Sequence, residues 1–389
     1  MGERENPGPV TRFVHPGPEM DPVTGALAVP VYRAASYHQP DPWAPGPYDY
    51  GRSGNPTRQA LEEAIAALEH GVGGFAFASG MAAITAALLL FGAGDHLLVT
   101  RDCQGGTQRL LRGVFARWGL RVTYVDTDRL EEVAAAREPA TRAVYVENFS
   151  NPFLRVTDLP ALAEWAHREG LLVLVDNTFI TPALQQPLDL GADLVLHSAS
   201  KLIGGHADVT AGLAVTADPA LARRLYFIQN ATGGVLGPDD AFAVLRGLRT
   251  LPLRMERAAA NARRLAAWLA ERPEVRAVYY PGLASDPGHA TAARTLRGFG
   301  QMVTIRLASG EAVMAAARAF RLVRVGAGFG GLETSVSLPE LHCHAALTSE
   351  ERAERAITPD VLRISVGLED PEDLLADFAA ALEAAAGAS

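Results

Sequence analysis

One lysine, Lys201, stands in this chain among 35 lysine and arginine residues, within the stretch "DLVLHSASKLIGGHAD" (193–208). Either residue serves a solvated surface. They diverge where an amine must lose its proton and attack a carbonyl carbon. A chain that otherwise uses arginine throughout retains lysine where arginine cannot replace it. Ser198 and Ser200 flank it, and the apolar run "LLVLVD" (171–176) ends in Asp176. Taken alone, that aspartate is a turn or cap residue. An amine poised near a carboxylate and hydroxyls instead suits a Schiff base to pyridoxal phosphate. Such a group needs the amine, a carboxylate that keeps its pyridine nitrogen protonated, donors for its phosphate, and an arginine for the substrate carboxylate. "ASGMAAI" (78–84) offers free N–H groups at a helix start, with no Cβ in the way at Gly80. Arg363, in "LRISVG", can grip a carboxylate with two parallel hydrogen bonds.

These residues sit at the ends of a regular alternation. The runs "HLLVT" (96–100), "RVTYV" (121–125), "AVYVEN" (143–148), "LLVLVD" and "DLVLHS" (193–198) are short and apolar, and helix-length segments such as "DLPALAEWAHREG" separate most of them. That pattern predicts an α/β fold with a mostly parallel sheet covered by helices on both faces. Ligands of such sheets bind beyond the carboxyl ends of the strands, where Asp176 and the 198–201 run fall. "LEEAIAALEHG" predicts a helix stopped by Gly71, and "SGMAAITAALLLFG" a buried helix. Residues 1–60, rich in Pro, Gly and Tyr, are expected to form an extended arm, and 61–250 the cofactor-binding α/β domain. Residues 251–389, which open on a long Arg/Ala helix (252–271), are expected to form a smaller α+β domain.

A net charge of −9 and the lack of a basic run interleaved with aromatics argue against a nucleic-acid partner. "MAAITAALLLFGAG" is too short to span a bilayer, and the first twenty residues hold no apolar core of a signal peptide. Two cysteines, Cys103 and Cys343, form no disulfide framework and suit a cytoplasmic enzyme. "GAGFGG" (326–331) lacks the helix and acidic residue of a dinucleotide fingerprint. "HCH" (342–344) has too few ligands for a closed metal site, so it is expected to be pocket wall or core, with no metal.

Across almost its whole length the sequence resembles the pyridoxal-phosphate enzymes of transsulfuration: cystathionine γ-synthase, γ-lyase, β-lyase and their relatives. The blocks that carry the likeness are "YGRSGNPTRQALEEAIAALE", "FASGMAAI", "SNP", "VDNTFITPALQQPLDLGADLVLHSASK", "GGHADV", "GGLE" and "LRISVGLED". The resemblance implies a fold-type I enzyme, a homotetramer assembled from dimers, acting on a small amino-acid substrate. It also implies roles for individual residues. Lys201 would bear the cofactor and move protons, Asp176 would pair with the pyridine nitrogen, and Asn151 would lie near the phenolic oxygen. Gly80, Met81, Ser198 and Ser200 would hold the phosphate, with Thr178 close by. Tyr50 and Arg52 would reach that phosphate from a neighbouring subunit. Arg363 would bind the substrate α-carboxylate, and Arg109 and Glu333 would line the far end of the pocket.

Departures cluster at the expected pocket. Gln104 of "RDCQGGT" stands where the family has a tyrosine stacked on the cofactor, and an amide cannot act as a general acid or base at neutral pH. Asn148 and Phe149 replace Thr-Pro, Gly328 replaces a serine, and Ser200 replaces a threonine. The expected reaction is β- or γ-elimination, or γ-replacement, at a sulfur- or oxygen-substituted amino acid. Quinonoid and vinylglycine-like intermediates would carry it. Two alternatives stand beside it: a divergent member using the same chemistry for another C–S, C–C or C–N step, and a catalytically altered cofactor-binding protein.

Overall fold

In a computed structural model the described residues are 7–17, 21, 23–345 and 347–387. Seven strands form the larger sheet: β1 (Gly73–Phe77), β2 (His96–Thr100), β3 (Arg121–Val125), β4 (Thr141–Glu147), β5 (Leu172–Asp176), β6 (Leu194–Ser198) and β7 (Gly212–Thr216). Their order is β1-β7-β6-β5-β4-β2-β3. The pairs β2–β3, β2–β4, β4–β5 and β5–β6 are parallel, as the alternation of strands and helices predicts. The final strand β7 runs antiparallel to both of its neighbours, which apolar patterning does not distinguish from a parallel strand.

Both faces of the sheet are buried, and the alternation is visible residue by residue. Leu97, Val99, Tyr145, Leu174 and Leu196 pack on one face with the helix Gly80–Leu88. Leu98, Val144, Val146, Val173 and Val195 pack on the other with Leu159, Leu162 and Ala166 of the helix Leu159–Arg168. Each such side chain removed from water contributes roughly 1.5–3 kcal/mol.

Two helix boundaries differ from the expectation. The first long helix starts at Pro56 rather than near residue 61, because Asn55 caps it by accepting from the amides of Thr57 and Arg58. It ends at Leu68, and the left-handed residue beyond it is His70 (φ 60°), not Gly71. Gly71 is needed for a close approach, since a Cβ there would lie 2.4 Å from Val215 Cγ1. The first sixty residues are also less uniform than an extended arm: they include a helix, Pro9–Val14, and an isolated bridge between Ser36 and Tyr50.

The second sheet contains β8 (Ala277–Tyr279), β9 (Met302–Arg306), β10 (Arg324–Val325), β11 (Ser335–Ser337) and β12 (Val361–Ser365), in the order β10-β11-β12-β9-β8. Its core draws on residues from Ala262 to Ala385. The helix Leu251–Ala270 joins this core to that of the larger sheet: Met255 packs among Leu248 and Leu251, and Leu265 and Leu269 pack among Val303 and Phe378.

Candidate active site

Parallel pairing aligns the carboxyl ends of β4, β5 and β6, with Glu147 opposite Asp176 and Asp176 opposite Leu196. A cavity of about 260 Å³ opens at this edge, lined by Gly80, Met81, Gln104, Asn151, Asp176, Thr178, Ser198, Ser200, Lys201 and Arg363 among others. Ten of the sequence-predicted residues therefore meet in one place.

Asp176 is held by three donors. Its Oδ1 accepts from the Thr178 amide at 3.0 Å and the Thr178 hydroxyl at 2.5 Å, and its Oδ2 accepts from the Tyr145 hydroxyl at 3.2 Å. Burial raises its pKa above the ordinary carboxylate value, and the Thr178 bonds oppose that rise. No arginine or lysine pairs with it among the described residues. A half-buried carboxylate of this kind fits a protonated ring nitrogen.

Lys201 leaves the turn after β6, its amide donating to Ser198 O at 3.2 Å. Burial lowers the pKa of its amine, and Arg363 lowers it further, so the neutral, nucleophilic form is easier to reach than in a solvated lysine. Phe329 packs against both cations: Lys201 Nζ lies 5.0 Å and Arg363 Cζ 5.2 Å from its ring centre. Arg363 is only 2% exposed; its Nη1 donates to Asn151 Oδ1 at 2.9 Å, and its Nε has no partner among the described residues. A buried guanidinium with no paired carboxylate suits a carboxylate brought by substrate.

The start of the helix Gly80–Leu88 offers donors suited to a phosphate. Ser79 caps it by accepting from the Ala82 amide at 3.1 Å, while the amides of Gly80 and Met81 have no acceptor within the helix. Glycine is required at 80, because a Cβ would come 2.8 Å from Ser198 Cβ. Ser200, expected to bind phosphate, spends its hydroxyl on Ala211: it donates to the carbonyl at 3.2 Å and accepts from the amide at 2.9 Å.

Gln104 has a structural task as well as a place in the wall. Its Oε1 accepts from the amides of Gly106 (2.6 Å) and Thr107 (3.3 Å), capping the helix Gly105–Gly113. Its backbone N–H donates to Glu147 Oε1 at 2.7 Å. Asn148 and Phe149 line the cavity, whereas Gly328 does not, although its neighbours Ala327 and Phe329 do.

Four expected residues lie elsewhere in the single chain. Tyr50 and Arg52 line a separate groove, where Arg52 donates to the backbone and side-chain oxygens of Asn230 at 2.5 and 2.6 Å. Arg109 is exposed on the helix Gly105–Gly113. Glu333 is exposed, 3.8 Å from Arg324. In the "HCH" stretch, Cys343 lines the cavity and His344 is fully buried.

Sequence reasoning missed Glu147, Phe179 and Phe329. Glu147 carried a signal, since it closes an apolar strand as Asp176 does, and burial raises its pKa well above the ordinary value. Phe329 carried none, because it lies between two short strands of the other sheet.

Comparison with known proteins agrees with this geometry. The family described as "Cys/Met metabolism PLP-dependent enzyme" matches residues 10–383. The chain is 47% identical to cystathionine gamma-lyase of Bacillus subtilis over 96% of its own length and 98% of the relative's. It is 45% identical to cystathionine gamma-synthase of Mycobacterium bovis, over 96% and 97%. Cystathionine gamma-lyase from Lactobacillus plantarum, solved in complex with L-serine, superimposes with a TM-score of 0.96 at 41% identity, over 98% of this chain and 100% of that one. With a cavity whose residues fit the cofactor, and a family pattern that spans nearly every residue, the chain belongs to the pyridoxal-phosphate-dependent enzymes of cysteine and methionine metabolism.

Proposed function

We propose that this enzyme eliminates or replaces a β- or γ-substituent on a sulfur- or oxygen-substituted amino acid such as cystathionine or an O-acylhomoserine. The observation that carries the reading is the shared cavity of Lys201 and Arg363, one able to lose a proton and the other permanently charged. Arg363 takes the substrate α-carboxylate and fixes which Cα bond faces the amine. Lys201 holds the cofactor at rest, then removes the Cα proton and delivers a proton to the departing group. Asp176 accepts from the ring nitrogen, and the amides of Gly80 and Met81 with the Ser198 hydroxyl bind the phosphate. When bound, the cofactor supplies the electron sink that makes the Cα proton removable.

Gln104 favours a second reading, a divergent reaction within the same chemistry. Its amide oxygen is committed to the helix cap and it cannot ionise, so Lys201 bears the proton transfers that a tyrosine would share. The assembly we propose is a homotetramer in which Tyr50 and Arg52 complete a neighbouring subunit's phosphate site. Residues 1–60 serve as the reaching arm.

The test has two parts. The purified protein should show the visible absorption of a lysine-bound cofactor, abolished by borohydride and absent from Lys201→Ala. Product analysis on cystathionine and O-acylhomoserines then separates β from γ chemistry. Failure to turn over any of them, with turnover restored by Gln104→Tyr, would favour the divergent reading.

A further inference from the structure

Behind the strand ends that form the cavity, three polar side chains are sealed in the interior. Glu69 and His197 have wholly buried side chains, and Glu69 Oε1 lies 2.6 Å from His197 Nε2. Asn177, also fully buried, follows Asp176 directly and donates to Glu69 Oε1 at 3.4 Å and to Gln185 O at 3.2 Å. Glu69 Oε2, His197 Nδ1 and Asn177 Oδ1 have no partner among the described residues. Each unsatisfied buried group destabilises the fold, and a well-packed apolar pair would avoid that cost. Stability alone therefore gives no reason for an acid and an imidazole here.

The cluster is stitched to the site on both sides. The Asn177 amide donates to Leu196 O at 2.9 Å, and the Ser198 amide donates to Thr178 Oγ1 at 2.8 Å. Thr178 in turn donates twice to Asp176. Residues 176–178 and 196–198 thus form one block, with His197 at its centre.

We propose that Glu69 and His197 are positioning residues: an imidazolium held by the buried Glu69 carboxylate places a positive charge behind Asp176 and keeps that carboxylate ionised for the cofactor's ring nitrogen. In that state two carboxylates and one imidazolium would leave a single negative charge, which a protonated ring nitrogen would neutralise. His197 acts on Asp176 in this sense, opposing the rise caused by burial. Two other charged groups act on the cluster. Burial and Asp176 itself raise the Glu147 pKa, and Arg297 lies within electrostatic reach of Glu69.

The test is a double-mutant cycle on the full chain, reading the dissociation constant of pyridoxal phosphate rather than turnover. His197→Gln keeps a neutral hydrogen-bonding group in the pair but removes the charge. It should weaken cofactor binding about tenfold when Asp176 is present, and less than twofold in an Asp176→Asn background, where there is no carboxylate to hold ionised. Glu69→Gln, which removes the counter-charge of the imidazolium, should show the same dependence and replaces His197→Gln in the cycle if that variant does not fold. Equal losses in both backgrounds, or no loss in either, would overturn the proposal and leave the pair a packing feature. The outcome does not depend on which amino acid is the substrate, so it stands or falls separately from the proposed reaction.

Discussion

At the residue scale, charge type and proton state decide what each side chain can do. Arg363 presents a planar fork inside the cavity, whereas lysine would present a point charge. Arg363→Lys is expected to raise KM for the amino-acid substrate by about ten- to hundredfold while the cofactor spectrum stays unchanged. A KM that does not move would remove Arg363 from carboxylate binding. Asp102 offers a pH test. Burial lifts its pKa from 3.8 to about 6, against the pull of Arg155. The folded chain thus keeps this proton up to about pH 6, while the unfolded chain releases it near 4. Stability from this group is full below about pH 4, falls as pH rises through that window, and stays reduced above it. Asp102→Asn should therefore melt a few degrees above the parent at about pH 8 and no higher at about pH 4. Equal melting shifts at both values would show that its proton plays no part.

At the scale of elements, helix starts and strand ends build the site. Gly80 lets the helix Gly80–Leu88 approach β6 closely enough for its amides to face the cavity beside Ser198. Gly80→Ala should weaken cofactor binding at least tenfold with little change in secondary structure, as equilibrium dialysis and circular dichroism would show. Unchanged affinity would mean the phosphate lies elsewhere. Gln104 makes the opposite kind of contribution, since its side chain stabilises a helix it precedes. Gln104→Ala should lower unfolding free energy by about 1 kcal/mol in urea melts. A neutral effect would mean that the amide is free for chemistry. After β6, Arg254 donates to the carbonyls of Leu202, Ile203 and Gly247 at 2.6, 3.1 and 2.6 Å, bracing the segment next to Lys201 from the helix Leu251–Ala270.

At the scale of the whole molecule, the single chain holds a cavity that Tyr50 and Arg52 do not reach. If a neighbour supplies them, two inactive variants should complement each other. Mixing Arg52→Ala with Lys201→Ala and letting subunits exchange should restore a fraction of activity, because some hybrid sites contain both intact residues. No recovery after demonstrated exchange would remove the arm from the site. Much of this architecture was legible in the sequence. A unique lysine, an aspartate closing an apolar strand and a glycine opening a helix are local chemical statements, and short apolar runs alternating with helix-length segments announced the sheet. Their meeting in one cavity follows from parallel strands, which bring all carboxyl ends to one edge. Other features depended on distance in three dimensions. Phe329 comes from a loop of the second sheet, and the Glu69–His197 pair joins residues 128 positions apart. The commitment of Ser200 to Ala211 and of Gln104 to its own helix could not be read from residue type, because a hydroxyl or an amide serves ligand and backbone equally well. By itself, then, the sequence determined which groups can lose, hold or bind a proton or phosphate, since that is fixed by side-chain chemistry. Tertiary structure decided which of them face the cavity and with what proton affinity, since burial and neighbouring charge arise only when distant segments pack together.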